Sequence, residues 1–338
     1  MNLHVTGEIL NYQLGGIATV LNELYNHSKN SKYLFCCLNT DQINLPKDIL
    51  YCNIEDIGEF TKSINYDNII FHNFFLAFEW MKKNKCNDNV YYVMHSNIFI
   101  EKIYKFNTFS NNDLDNMANI IENMNIIVIS NYEKNLLIKI CSENKIKYKK
   151  ILVIPNGFNF KDNNLYIENK KINFGYIGRL DFRKGLSFLY EYWKDLDFNL
   201  LVSSGGFAKY SKFVYEDLCN FQSSNIIHLG FCTGNRKENF FKNINALIIP
   251  SFYEPFGMVL LECINENKLP LCNKTGGLLE ILGEDYPFYF EIEDKDSFYK
   301  CLSKFINYKN KEELLFNTKN NIIKNYSIEN MVNLYDSI

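Results

Sequence analysis

The sequence predicts an α/β protein built from two doubly wound domains in tandem. Short apolar runs of strand length alternate with segments of helical spacing along the chain. A polar, Asn-rich stretch without period, residues 158–170, interrupts the alternation, and the same scheme then restarts. The length of 338 residues suits two domains of about 150 residues each.

In the first half, Leu3 to Thr6 reads as a short strand, and Gly15-Gly16 precedes helical spacing over Ile17 to Tyr25. Tyr33 to Leu38, Asn68 to Phe71, Val90 to Met94, Ile126 to Ile129 and Ile151 to Ile154 are further apolar runs. Asn131 to Ile140 reads as a helix with Ser130 as its N-cap, because a serine hydroxyl can accept from the free N–H groups of a first turn. Pro155-Asn156-Gly157 is a turn signal.

After residues 158–170, read as an inter-domain linker, strands are expected at Ile172 to Ile177, Phe198 to Val202, Ile226 to Leu229, Ala246 to Ile249 and Leu269 to Cys272. These runs are continuously apolar, as strands covered on both faces are. Strand–helix alternation implies parallel sheets with right-handed crossovers. The expected organisation is a first domain over 1–157, a second over 171–322, and a terminal helix over 323–338 that packs back on the first. Ligands of doubly wound domains bind beyond the carboxyl ends of the strands. The loops after Thr6, Met94, Ile177, Val202 and Ile249 therefore become the candidate functional loops.

Composition narrows the function. The net charge of -3 gives no basic excess for a nucleic-acid partner. Ten scattered cysteines, several inside apolar runs, form no CxxC pair and no zinc spacing, and read as buried reduced thiols. The start, MNLHVTGEIL, lacks a basic region followed by an apolar core, and no stretch of 18 apolar residues occurs. The expectation is a cytoplasmic protein, with peripheral contact at the inner face of the membrane if the acceptor is a lipid. Lys145, Lys147, Lys149 and Lys150 could meet anionic lipid there, or form an ordinary solvated loop. The aromatic content of 16% fits an AT-rich genome.

Four segments carry chemistry. The first runs from Pro250 through Glu254-Pro-Phe256-Gly257-Met258-Val259 to Glu262, just past a buried strand. A helix is expected to start near Phe256. Its N-terminus would offer N–H groups and positive potential to an anion. Gly257 allows close backbone approach, and two carboxylates can accept from adjacent hydroxyls. The second, Tyr176-Ile-Gly178-Arg179-Leu-Asp-Phe-Arg-Lys184-Gly185, places two cations at a strand end, where each charge pair with a diphosphate at 4 Å is worth roughly 4 kcal/mol before desolvation. The third is Gly15-Gly16-Ile17 after the first strand. The fourth is His95 after Met94, which fits a ligand contact or a core or capping role alike; His72, behind Asp67, reads as structural.

Glu254, seven residues and Glu262, with Pro-Phe-Gly after the first, resembles the signature of the retaining GT-B glycosyltransferases of family 4, the glycosyl transferases group 1. Gly178-Arg179 to Lys184-Gly185 resembles that family's cationic segment. Ile154 to Gly157, Thr275-Gly276-Gly277 with Glu280, and the tail from Tyr326 to Tyr335 resemble its further segments. One departure is Glu266-Asn267-Lys268 before Pro270, where the family has small residues. The resemblance implies two Rossmann-like domains facing a central cleft, the first on the acceptor side and the second binding the donor. It implies that Arg179 and Lys184 stabilise the departing diphosphate, that Glu254 contacts the donor sugar and Glu262 the ribose. It also brings Gly15, Gly16, Gly178, Phe256, Gly257, Met258 and Val259 to the donor and His95 to its sugar.

The activity so implied is that of a hexosyltransferase. It would retain configuration, moving a hexose from a nucleotide diphosphate sugar, UDP foremost, to a glycan or lipid-linked acceptor. Bacterial surface polysaccharide or lipopolysaccharide biosynthesis is the expected setting. No cofactor and no metal are expected: the Asp-x-Asp patterns Asp113/Asp115, Asp195/Asp197 and Asp294/Asp296 follow no buried strand. The alternatives are a sugar-nucleotide epimerase or phosphorylase on the same fold, and a non-catalytic carbohydrate-binding subunit. A nicotinamide dehydrogenase lacks its G-x-G-x-x-G fingerprint here.

Overall fold

The computed structural model describes residues 1–7, 16–37, 46–103, 109–161, 168–205 and 223–338. The chain forms two compact units, Met1–Asn159 with Tyr326–Ile338, and Phe160–Asn325.

The first unit contains strands β1 (Asn2–Thr6), β2 (Ser31–Cys37), β3 (Leu50–Asn53), β4 (Asn68–Phe71), β5 (Val90–Met94), β6 (Asn125–Val128) and β7 (Ile151–Val153). Its helices are α1 (Gly16–His27), α2 (Ile57–Phe60), α3 (Phe74–Met81), α4 (Ile98–Ile103), α5 (Asn111–Asn123) and α6 (Asn131–Asn144). The strands form one sheet in the order β3-β2-β1-β4-β5-β6-β7, and each neighbouring pair is parallel. Every residue of β1, β4, β5 and β6 is buried. That double-sided burial is why these strands read as continuous apolar runs. Ser130 caps α6 as expected, its hydroxyl accepting from the Glu133 N–H at 3.1 Å.

The second unit contains β8 (Asn173–Arg179), β9 (Asn199–Gly205), β10 (Ile226–His228), β11 (Ala246–Ile249), β12 (Leu269–Asn273) and β13 (Tyr289–Phe290). Among the described residues its helices are α7 (Leu186–Trp193), α8 (Gly234–Asn243), α9 (Met258–Asn265), α10 (Gly276–Leu282), α11 (Lys295–Asn307) and α12 (Lys311–Tyr326). The sheet order is β10-β9-β8-β11-β12-β13, again parallel at each pair. Trp193, Phe174, Phe298 and Phe305 meet in a fully buried aromatic cluster beneath β8, with ring centroids 5.4 to 6.3 Å apart.

Two expectations change. The edge strands β3 and β13 have no counterpart in the sequence reading; β3 is four residues with only Cys52 buried, so it presents no apolar run. The tail is two helices rather than one over 323–338: α12 ends at Tyr326, and α13 (Ile328–Asp336) begins behind Ser327, whose hydroxyl accepts from the Asn330 N–H. Residues 158–161, where the expected linker begins, are hydrogen-bonded. Phe158 N–H donates to the Tyr326 carbonyl at 2.9 Å, and the Lys161 N–H donates to Asn265 at 2.7 Å. Residues 162–167, also expected as linker, lie outside the described residues.

Candidate functional site

In the second unit, β8 and β11 are neighbours, and the chain winds outward from them in opposite directions, through β9 and β10 on one side and β12 and β13 on the other. Ligands of doubly wound domains bind at such a point, beyond the carboxyl ends of the strands. Arg179 is the last residue of β8, and Pro250 follows β11 directly. Both charged motifs therefore sit at this switch point.

The two loops are locked together. The Phe252 N–H donates to the Arg183 carbonyl at 2.8 Å. Gly185 lies at φ +67, and a Cβ there would stand 1.8 Å from the Pro250 carbonyl oxygen. Only glycine permits that approach with that backbone conformation. The short 3-10 turn Phe182–Lys184 is thereby pinned against the start of the Glu254 loop.

The charges pair as follows. Lys184 Nζ lies 2.7 Å from Glu254 Oε2, and the Ser251 hydroxyl donates to the same oxygen at 3.3 Å. Glu254 is only 8% exposed, so its lysine partner offsets the cost of burying the carboxylate. Glu262, on α9, pairs with Lys237 of α8 at 2.7 Å. Arg179 is more than half exposed, with its guanidinium 3.8 Å from Asp181. Asp181 is itself bound to buried Arg183 at 2.6 Å. Burial pushes the Asp181 carboxyl up, but the hydrogen bonds and charge of Arg183, with Arg179 behind, outweigh it and hold the group below the usual carboxylate range.

Helix α9 starts at Met258, two residues later than expected, because Gly257 takes φ +122 as its N-cap. Glycine brings no side chain to satisfy the first turn. The N–H groups of Met258 and Val259 have no intrahelical carbonyl to meet and project from the positive end of the helix. Phe256 is buried just ahead of them, and the Gly277 N–H donates to the Glu254 carbonyl at 2.9 Å, tying the loop to α10. Gly178 lies in β8, one residue before Arg179.

In the first unit, Gly16 is the exposed first residue of α1, and Gly15 lies outside the described residues. His95 follows β5 and is partly exposed. It is not alone. Its Nε2 lies 3.1 Å from Nδ1 of His72, which follows β4, and His72 Nε2 lies 2.9 Å from Nδ1 of His4 inside β1. Burial depresses all three imidazoles: His4 to about 3, His95 to about 4, and His72 well below the usual range with the charges of its two neighbours adding.

The structure thus joins Lys184 to Glu254, adds Lys237 to Glu262 and links His95 to His72 and His4. Lys237 carries no signal in sequence, since a lone lysine on a helix reads as solvated. Arg183 has a faint one: it follows Asp181 by two residues, between the two cations of the motif. His4 has a clearer one that the motif reading misses, a histidine in the middle of a strand otherwise buried. The Asp-x-Asp patterns are occupied in structural tasks. Asp113 closes a capping box with Ser110, Asp294 caps α11, and Asp195 pairs with Lys295. Among the described residues no helix is long and apolar enough to cross a membrane, and no three metal-ligating side chains gather.

Comparison with known proteins follows the same division. The uncharacterized glycosyltransferase MJ1607 of Methanocaldococcus jannaschii is 27% identical over 242 residues, 63% of this chain and 60% of that protein. The alignment therefore spans less than two thirds of that relative. An uncharacterized 41.2 kDa protein in the cps region of Klebsiella pneumoniae is 23% identical over 303 residues, covering 80% of this chain and 81% of the relative. Anabaena Alr3699/HepE, solved in complex with UDP-glucose, superposes with a TM-score of 0.73 at 14% identity, over 100% of this chain and 99% of that one, and so shares the fold. The family model described as glycosyl transferases group 1 matches residues 158–326. That stretch holds β8, β11 and both charged loops at their switch point, and the chain belongs to the glycosyl transferases group 1.

Proposed function

We propose that the protein is a retaining glycosyltransferase. In this reading it moves a hexose from a nucleotide diphosphate sugar to a glycan or lipid-linked acceptor, with the donor held in the second unit. The observation that carries this reading is the charge arrangement at the β8/β11 switch point. The Lys184–Glu254 pair, Arg179 and the uncapped start of α9 lie on loops that leave two neighbouring strand ends. An ammonium has three donors, so Lys184 can hold Glu254 and still donate to a phosphate oxygen. Glu262, oriented by Lys237, suits the two adjacent hydroxyls of a ribose. UDP is the proposed nucleotide, supported by the fold shared with HepE. Surface polysaccharide or lipopolysaccharide assembly is the proposed setting, supported by the cps-region relative.

The chemistry balances without a protein base. The bond between the sugar's anomeric carbon and the diphosphate oxygen breaks, and its electron pair leaves with the diphosphate. The acceptor oxygen bonds that carbon from the same face and gives its proton to the leaving phosphate oxygen. Arg179, Lys184 and the N–H groups of Met258 and Val259 meet the charge that develops on the diphosphate, in place of a metal. In many enzymes, preorganised groups of this kind lower the barrier more than any other effect. The first unit is assigned the acceptor, and Gly15, Gly16 and His95 are that unit's proposed substrate contacts.

Thermal unfolding with a panel of nucleotides and nucleotide sugars tests the donor site. A ligand at 100 times its Kd should stabilise the protein by about 2.7 kcal/mol. The expected result is a rise in Tm with one nucleoside diphosphate that Glu262→Ala abolishes. A folded protein that responds to none of them has no donor site of this kind.

A further inference from the structure

The three histidines of the first unit make a hydrogen-bonded row that runs from inside the sheet to its carboxyl end. His4 lies in the middle of β1 and is fully buried, with one face stacked on Tyr33 at 5.1 Å and Tyr335 of α13 beside it. His72 is 2% exposed, and His95 at the outer end is partly exposed. A neutral imidazole carries one N–H and one bare nitrogen. Each link in the row joins an Nδ1 to an Nε2. Two links among three neutral rings therefore admit two proton arrangements only: all three protons on Nδ1, or all three on Nε2.

The inner end separates the two. His4 Nε2 is buried and has no hydrogen-bond partner among the described residues. With protons on Nε2, His4 would keep an N–H in the core with no acceptor. With protons on Nδ1, the orphan is a bare ring nitrogen instead. Among buried backbone groups an N–H without an acceptor is rarer than an under-satisfied acceptor, and the same asymmetry favours the bare ring nitrogen here. The row is thus closed inside and decided there, and its outer end inherits the outcome.

We propose that His4 and His72 are positioning residues that fix His95 with its proton on Nδ1, so that His95 meets a substrate hydroxyl as a hydrogen-bond donor. His95 Nε2 is taken by His72, so Nδ1 is the ring nitrogen left for a ligand. A donor there binds a hydroxyl oxygen and leaves that hydroxyl's own proton in place. His95 is then no general base, in line with the proton going to the leaving phosphate. That last step rests on the glycosyltransferase reading; the tautomer itself does not.

Long-range 1H–15N correlation spectra of histidine-labelled protein at pH 7 read each ring directly, with His95 assigned from the signals lost in His95→Gln. The expected pattern is Nδ1–H for His4, His72 and His95. In His72→Leu, His95 should change to the mixed tautomers of a free imidazole. In an activity assay that variant should lose at least tenfold in kcat with little change in donor KM. Proton on Nε2 of His95 in the wild-type protein overturns the proposal. So does an unchanged His95 tautomer in folded His72→Leu. Should that variant not fold, the wild-type spectrum decides alone. Failure of the nucleotide panel would leave the tautomer result standing, so the two readings fail separately.

Discussion

At the scale of the residue, the arrangement turns on pairing. Lys184 and Glu254 touch at 2.7 Å, so removing one leaves the other's largely buried charge without its counter-ion. Arg179 differs: it is more than half exposed and held only loosely by Asp181. Arg179→Ala should therefore report on the leaving diphosphate with little cost to folding. The expected loss is roughly 3 kcal/mol of transition-state stabilisation, on the scale of one oxyanion-hole donor, seen as a fall in kcat of about two orders of magnitude. Lys184→Ala should lose a similar amount, and the loss should be non-additive with Glu254→Gln because the two groups form one unit. A kcat left intact in Arg179→Ala would remove the arginine from the chemistry. Glu254, Glu262, Arg179 and Lys184 stand out in the sequence because spacing, loop position and family pattern agree. Lys237 does not, because its partner is set by folding: α8 brings Lys237 to Glu262 across 25 residues of chain, and no local pattern records that; the Asp181–Arg183 pair, two residues apart, leaves only a faint local signal.

At the scale of the element, most strands are legible because burial on both faces writes an uninterrupted apolar run. β6, with four buried residues, and β11, with four, are such cases. β3 is not legible because only Cys52 of its four residues is buried, and β13 is not because two residues are too short to read as a run. The start of α9 is misplaced by two residues because Phe256, though apolar and buried, belongs to the loop, and the break comes from the backbone of Gly257. The loops after β8 and β11 act as one element, and Gly185 is where they meet. Gly185→Ala would force a methyl group onto the Pro250 carbonyl while keeping a left-handed backbone. Overpacking and strain together should cost about 3 kcal/mol. The measurement is the denaturation midpoint, and a shift within error would mean the two loops are free to part.

At the scale of the whole molecule, the histidine row makes stability depend on pH. The folded chain keeps His4, His72 and His95 neutral down to low pH, with His4 near 3 and His95 near 4, while an unfolded histidine takes its proton near 6.5. Below pH 6.5 the unfolded state therefore binds more protons than the folded one, and stability is lost as pH falls. Each such histidine adds up to about 1.4 kcal/mol per pH unit across that window. Denaturant unfolding between pH 7 and pH 5 should show this slope, and His4→Leu should flatten it. An equal slope in the variant would place the dependence elsewhere.

The tail gives the first unit a broken sequence. Its residues up to Asn159 and its residues from Tyr326 are separated by the whole of the second unit. The tail is not ornament to that first unit: the Asn2 side chain donates to the Tyr335 carbonyl, Asn68 donates to the Ile338 carbonyl at 2.9 Å, and Met331 and Tyr335 are buried. A ribosome delivers the sheet of the first unit early, yet must make another 166 residues before the strip that covers its first strand is available. The unit begun first is therefore finished last. The second unit, continuous in sequence, can close as soon as its last helix is made, while β1 of the first unit still lacks residues 326–338, the strip that seals it.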